Sequence, residues 1–318
     1  MKEHEFFFNR QMDAWPAAAE RFSQLKEVEV RELLAADTRL LVQFNPHRIV
    51  STAAVVEKGR VERPCFLCAK NRPQEQIAEL VLGHYELLVN PFPILERHFT
   101  IPLCSHQSQS IREHYADMMW MAQAWPDLFV FYNGPRCGAS APDHMHFQAG
   151  KRGIVPLERD WNTIYGRTLE KVLAGEDDVA DTGLFALHGF VVPAFVIMTR
   201  EPAFHDRLFR RLYAALPIGA DDTEPMINIL AWIMHPESEQ DRRLVSVVIP
   251  RAKHRPDCYY ATGDAQLLIS PGAIDMGGLL ITPREADFSS LTAETAVAIL
   301  HEVGVASLDA MVDKLMAG

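Results

Sequence analysis

Residues 141–150 read APDHMHFQAG, and the centre of this stretch alternates two histidines and a glutamine with two apolar residues. Laid out as a strand, His144, His146 and Gln148 share one face, while Met145 and Phe147 take the other. The two imidazoles then stand about 7 Å apart, at a rise of ~3.3 Å per residue. One can brace the strand or hold a metal while the other reacts. The same pattern also fits an exposed edge strand with its polar residues in water. The context favours chemistry, because the small-residue turn CGASAPD (137–143) leads straight into the motif. Turns of this kind can aim several backbone N–H groups at one anion. Gly138 and Ser140 lie in this turn, and Asn133, at the end of the preceding apolar run, can reach the same cleft. An anion cradle beside a neutral imidazole is what attack on phosphorus requires.

A second constellation is RPCFLCAKNRP, with Cys65 and Cys68 in a C-x-x-C. A redox pair of this spacing opens a helix after a strand in a βαβ unit, and the hairpin pattern around it does not supply that. Two buried thiols are the plain alternative. A zinc site needs two further ligands, and His98, Cys104, His106, His114 and His144 are candidates. A third feature is PRAKHRP, which packs Arg251, Lys253, His254 and Arg255 into five positions. It reads either as a solvated turn or as a basic patch facing a phosphate site.

These groups need elements to hold them. TRLLVQFNP and RIVSTAAVVEKG predict a hairpin turning at Asn45-Pro46, and HYELLVNPFPIL with RHFTIPL predicts another strand pair. Apolar residues recur at helical spacing from Ser108 to Trp125, until Pro126 stops the helix. DLFVFYN follows as a buried strand and leads to the small-residue turn. The acidic stretch AGEDDVADTG (174–183) predicts a surface loop between two halves, 1–173 carrying both motifs and 184–318. In the second half GFVVPAFVIM, MINILAWIM, RLVSVVIP, AQLLIS and GGLLIT read as strands, with helices near 203–215 and 291–317. The class is α+β with mostly antiparallel pairing.

The chain has 318 residues, 48% of them hydrophobic and 23% charged, with a formal net charge of -11. This is an ordinary globular composition, and the negative charge argues against nucleic-acid and membrane-surface partners, which need a basic field. No run approaches the ~18 apolar residues of a membrane helix, and the N-terminus lacks a signal-type apolar segment. The five cysteines, an odd number without secretory features, point to a reducing, cytoplasmic setting.

Taken together, the C-x-x-C, NPFPILERHFTIP, the FYN strand end and GASAPDHMHFQ resemble the histidine-triad superfamily. The likeness is to its transferase branch of galactose-1-phosphate uridylyltransferases, diadenosine tetraphosphate phosphorylases and GDP-hexose phosphorylases. It is strong over roughly residues 40–150 and weaker in NILAWIM, VVIPR and MGGLLITPREADF. In that branch the third motif position is Gln, as at Gln148. One departure is visible: one more residue separates Ser140 from the first histidine than in the uridylyltransferases.

The resemblance implies a HIT-like fold, a mostly antiparallel half-barrel type of sheet with flanking helices in two related lobes. It implies His146 as the nucleophile, Gln148 on a non-bridging phosphate oxygen and Asn133 orienting phosphates. It also implies a structural Zn2+ on Cys65, Cys68, His106 and His144. The expected activity is nucleotidyl transfer or phosphorolysis of a nucleotide sugar or dinucleoside polyphosphate through a nucleotidyl-histidine. Inorganic phosphate or a sugar 1-phosphate would be the acceptor, met by Arg251 and Lys253. The alternatives are a hydrolase of the same substrates and a catalytically inactive, zinc-stabilised nucleotide-binding protein.

Overall fold

Uninterrupted apolar runs such as LFVFYN and INILAWIM must be buried on both faces, and they form the middle of a long open sheet. The computed structural model describes residues 2–35, 38–46, 64–175, 179, 181–238 and 240–317. In chain order its strands are β1 (Glu29–Ala35), β2 (Thr38–Phe44), β3 (Glu79–Val81), β4 (Tyr85–Val89), β5 (Phe99–Pro102), β6 (Leu128–Asn133) and β7 (His146–Lys151). Then follow β8 (Leu169–Ala174), β9 (Gly183–Leu187), β10 (Ala194–Thr199), β11 (Ile227–Met234), β12 (Arg243–Pro250) and β13 (Leu279–Thr282).

Ten strands form one sheet in the order β3-β4-β5-β7-β6-β11-β12-β10-β9-β8. Every neighbouring pair is antiparallel, and the sheet does not close into a barrel. The architecture is α+β with antiparallel pairing throughout the large sheet. Strands β6 and β11 meet at the middle of this sheet, with Asn133 paired to Asn228.

Strand alternation sends side chains into two cores. Met145, Phe147 and Ala149 bury under the helices Tyr115–Ala124, Pro202–Ala215 and Asp309–Ala317. His146 and Gln148 therefore face the other side. There Phe129 and Phe131 of β6 pack with the helix Ala293–Val303 and a three-stranded sheet, β1-β2-β13, in which β13 runs parallel to β2.

Some elements differ from expectation. TRLLVQF pairs with β1 and β13, while its expected hairpin partner at 48–59 lies outside the described residues. The strand expected at AQLLIS does not form. Its backbone is taken by a 3-10 turn at Gly263–Ala265, by Cys258, and by the Asp287 carboxylate, which accepts from the Leu268 N–H. The helix expected from Ser108 starts only at Tyr115. Among the described residues no helix is long and apolar enough to cross a membrane.

Candidate active site and metal centre

The histidine motif is split between two structures. Strand β7 begins at His146, and His144 sits in the turn before it rather than on the same strand face. That turn rotates the first imidazole away from the second and towards the C-x-x-C. The His144 Nε2–H donates to the Leu103 carbonyl at 2.8 Å, so Nδ1 carries the lone pair. Nδ1 lies 3.2 Å from Cys65 Sγ, 3.6 Å from Cys68 Sγ and 3.3 Å from His106 Nδ1. Cys68 Sγ and His106 Nδ1 are 3.3 Å apart.

All four donor atoms fall within 4.8 Å of one another. A tetrahedral ion at ~2.0–2.1 Å from nitrogen and ~2.3 Å from sulfur would space its ligands about 3.3–3.8 Å apart. The observed separations match, so Cys65, Cys68, His106 and His144 can hold a metal ion. Of the other candidates, His98 lies beside Gln148, His114 meets the Tyr85 hydroxyl, and Cys104 is exposed outside the cluster. Burial pushes the Cys65 thiol above its ordinary pKa and the His144 imidazole below its own. Both effects concern the metal-free groups, and a bound cation would reverse the first.

His146 is 2% exposed. Its ring Nδ1 lies 2.8 Å from the His144 carbonyl, an acceptor only, so Nδ1 bears the proton. The tautomer follows: Nε2 has a lone pair, and this buried atom has no hydrogen-bond partner among the described residues. Burial lowers the imidazole pKa to about 4, against a weaker opposing pull from the His144 carbonyl. At neutral pH the ring is uncharged and nucleophilic at Nε2.

Gln148 has its own orienting partner. His98 Nδ1 accepts the Ile94 N–H, so His98 Nε2 carries hydrogen and donates to Gln148 Oε1 at 3.0 Å. The Gln148 amide thereby turns its NH2 side away from His98, ready to donate. His98 also stacks on Phe131, with ring centroids 5.9 Å apart. The sequence offered His98 only as a possible metal ligand. The signal for this role was the four-residue spacing from Ile94 across the tight NPFPILERH turn.

The small-residue turn packs against residues from the second half of the chain. Gly138 has φ +95°, and a Cβ there would lie 2.7 Å from Gly272 Cα, so the position requires glycine. Ser140 is exposed in the same turn. Asn133 Oδ1 accepts from Asn228 Nδ2 at 2.9 Å and from the Ala273 N–H at 2.7 Å. Asn228 Nδ2 also donates to the Cys137 carbonyl.

Arg251 stands one step behind. It is 4% exposed, and its fork is fully engaged with protein. Nε donates to the Val303 carbonyl, Nη1 to Asn228 Oδ1 and the Pro271 carbonyl, and Nη2 to the carbonyls of Lys253 and His254. It therefore braces Asn228 and the loops around the turn, and its bonding capacity leaves no room to grip an acceptor phosphate. Lys253 is half-exposed and ion-pairs with Asp257 and Glu302. The basic run thus reaches the site differently from the sequence expectation. Burial, followed by Arg255, Arg251 and Arg136, pushes His254 down to about 4. Arg136 immediately precedes the small-residue turn, is exposed, and ion-pairs with Asp222 at 2.8 Å.

The family described as "Domain of unknown function (DUF4922)" matches residues 7–151, which include both motifs. No curated protein matches by sequence. Among solved structures, yeast Ap4A phosphorylase Apa2 superposes with a TM-score of 0.56 at 15% identity, covering 92% of this chain and 94% of that one. The same enzyme in complex with Ap4A gives 0.54 at 16% identity, covering 91% and 96%. Its complex with AMP gives 0.54 at 15% identity, covering 91% and 95%. The likeness spans nearly the whole of both chains, and at this identity it establishes the fold.

Proposed function

We propose that this chain, which has the HIT-like fold of the superfamily's transferase branch, is a nucleotidyltransferase that works by phosphorolysis of a nucleotide carrying a phosphoanhydride link. The observation that carries the reading is the His146 ring. Its proton is fixed on Nδ1 by the His144 carbonyl, and its Nε2 lone pair is buried without a partner among the described residues. A buried, unsatisfied polar atom costs stability, and a reacting phosphorus is the partner that gives it a use.

In the first step the Nε2 lone pair attacks the α-phosphorus. A P–N bond forms, the P–O bond to the next phosphate breaks, and the leaving group departs as a phosphate-terminated anion. The Nδ1–H stays on the His144 carbonyl, which stabilises the positive charge developing on the ring. The Gln148 amide, held by His98, donates to a non-bridging oxygen, and Asn133 orients the phosphates. In the second step an oxygen of inorganic phosphate attacks phosphorus, the P–N bond breaks, and the electron pair returns to Nε2. The leaving group and acceptor are both anions, and Arg136, Arg255 and the backbone of the 137–141 turn offset their charge.

Zinc suits the donor set of Cys65, Cys68, His106 and His144, and with four protein ligands it would serve as a structural ion. It would fix the turn from which His146 projects. Hydrolysis is disfavoured because Gln148 cannot take a proton from water. Yeast Ap4A phosphorylase makes dinucleoside polyphosphates one substrate class to test, and nucleotide sugars are the other. The test is chromatography of reactions containing GDP-, UDP- and ADP-sugars or Ap4A with and without inorganic phosphate. Phosphate-dependent release of a nucleoside diphosphate is expected. Consumption that is equally fast without phosphate would replace the reading with hydrolysis, and no consumption of any donor would overturn it.

A further inference from the structure

The nucleophile sits where its strand has lost its β6 neighbour, while β5 still pairs with it through Pro102. The β6–β7 ladder runs from Leu128 opposite Lys151 to Phe131 opposite Gln148. Continued two residues further, the same register would set Asn133 directly opposite His146. The ladder does not reach that pair, because the chain opens there into the small-residue turn. Gln109 fills the position. Its side chain is fully buried, and its Nε2 donates to the Asn133 carbonyl at 2.9 Å and to the His146 carbonyl at 3.0 Å. Its Oε1 accepts the His146 N–H at 2.8 Å. One side-chain amide thus uses both donors and its acceptor to replace the missing cross-strand bonds.

From these contacts we infer that Gln109 is a positioning residue for the reaction proposed above, a splint holding the His146 backbone at a fixed distance from Asn133. The splint is itself anchored on both sides. The Gln109 N–H donates to the Pro142 carbonyl, and two residues on, the Ile111 N–H donates to the buried Glu224 carboxylate. Glu224 also accepts from the Tyr132 hydroxyl, on the strand that ends in Asn133. Three residues before Gln109, His106 belongs to the metal cluster, and the Gln107 carbonyl accepts the Met145 N–H. The segment 106–111 therefore clasps the turn before β7 from His144 to His146. These bonds hold 107–111 extended, and the chain turns at 112–114 before the helix starts at Tyr115.

Gln109→Met keeps the side-chain length and removes all three bonds, whereas Gln109→Glu keeps the shape and points a carboxylate oxygen at two carbonyls. The inference rests on the proposed function for its kinetic arm alone, because amide exchange reads the splint directly. In Gln109→Met the His146 N–H should lose protection by at least tenfold, while Gln148–Lys151 in the ladder keep theirs. Unchanged exchange at His146 would overturn the splint, whatever the activity. In single-turnover labelling by a donor that the wild type accepts, both variants should form the nucleotidyl-protein roughly 10²-fold more slowly, the scale for a 1 Å misplacement. Donor binding and metal content should stay within about threefold of wild type. A merely structural role predicts the reverse, a lowered melting temperature with a normal labelling rate in the folded fraction, and that result would refute the inference. A wild type that labels with no donor would defeat the proposed function and leave the exchange result to decide the splint.

Discussion

Replacing Arg251 by lysine separates two roles for the basic run. If the guanidinium gripped an acceptor phosphate, lysine would leave the fold intact and raise the KM for that acceptor alone. The structure instead gives Arg251 five protein contacts: four backbone carbonyls and Asn228 Oδ1. An ammonium has three N–H groups on a stem that ends short of the guanidinium, so at least two buried acceptors lose their donor. Each unsatisfied buried polar group costs about 1–3 kcal/mol, so losing two gives an expected destabilisation of about 2–6 kcal/mol. For a chain of this size, 1 kcal/mol moves the melting temperature by roughly 2 °C, which gives a fall of about 4–12 °C. Scanning calorimetry measures it directly. Because Asn228 braces Asn133 and the Cys137 carbonyl, the first half-reaction should slow as well. A melting temperature within 2 °C of wild type, with only the acceptor KM raised, would refute this reasoning.

Three other outcomes are expected. Cys68→Ser should lower bound zinc from about one per chain towards none and lower the melting temperature, because metal binding is coupled to folding; elemental analysis beside a thermal scan checks it. Burial lowers the pKa of His205 to about 3, while the unfolded chain protonates near 6.5. Its contribution to stability is thus complete above pH 6.5 and falls as the pH drops towards 3. Between pH 6 and 4.5, His205→Gln should show a slope of unfolding free energy against pH shallower than wild type by about 1.4 kcal/mol per unit, and equal slopes in urea titrations would contradict the assignment. His98→Ala should free the Gln148 amide to turn over and lower kcat by about tenfold with a smaller change in donor KM, read from steady-state kinetics.

The sequence shows most clearly what local pattern dictates. The alternation around Phe147 places Met145 and Phe147 in one core, and the apolar runs at 128–133, 227–234 and 243–250 are strands of one sheet. The four metal-site residues implied by the resemblance do converge. Tertiary demands on the backbone were not legible. His144 alternates with His146 in sequence, yet the Leu103 carbonyl and the cysteines draw it into a turn. Residues 108–114 have helical spacing, but the Pro142 carbonyl and the Glu224 carboxylate accept the N–H groups of Gln109 and Ile111. Arg251 reads as solvated or phosphate-facing charge because composition cannot reveal that four backbone carbonyls converge on it. AQLLIS has strand composition, but its N–H groups are taken by the Gly263 and Cys258 carbonyls and the Asp287 carboxylate, so it packs as coil with Ile269 buried.

The central claim is that His146 Nε2 becomes covalently bound to phosphorus. Intact-protein mass spectrometry after a brief incubation with donor in the absence of phosphate tests it most directly. The account predicts an added mass of one nucleoside monophosphate, labile to acid, mapped to His146, discharged by inorganic phosphate and absent from His146→Asn. An adduct of equal yield in His146→Asn, or rapid turnover by the wild type with no adduct at any time, would contradict it.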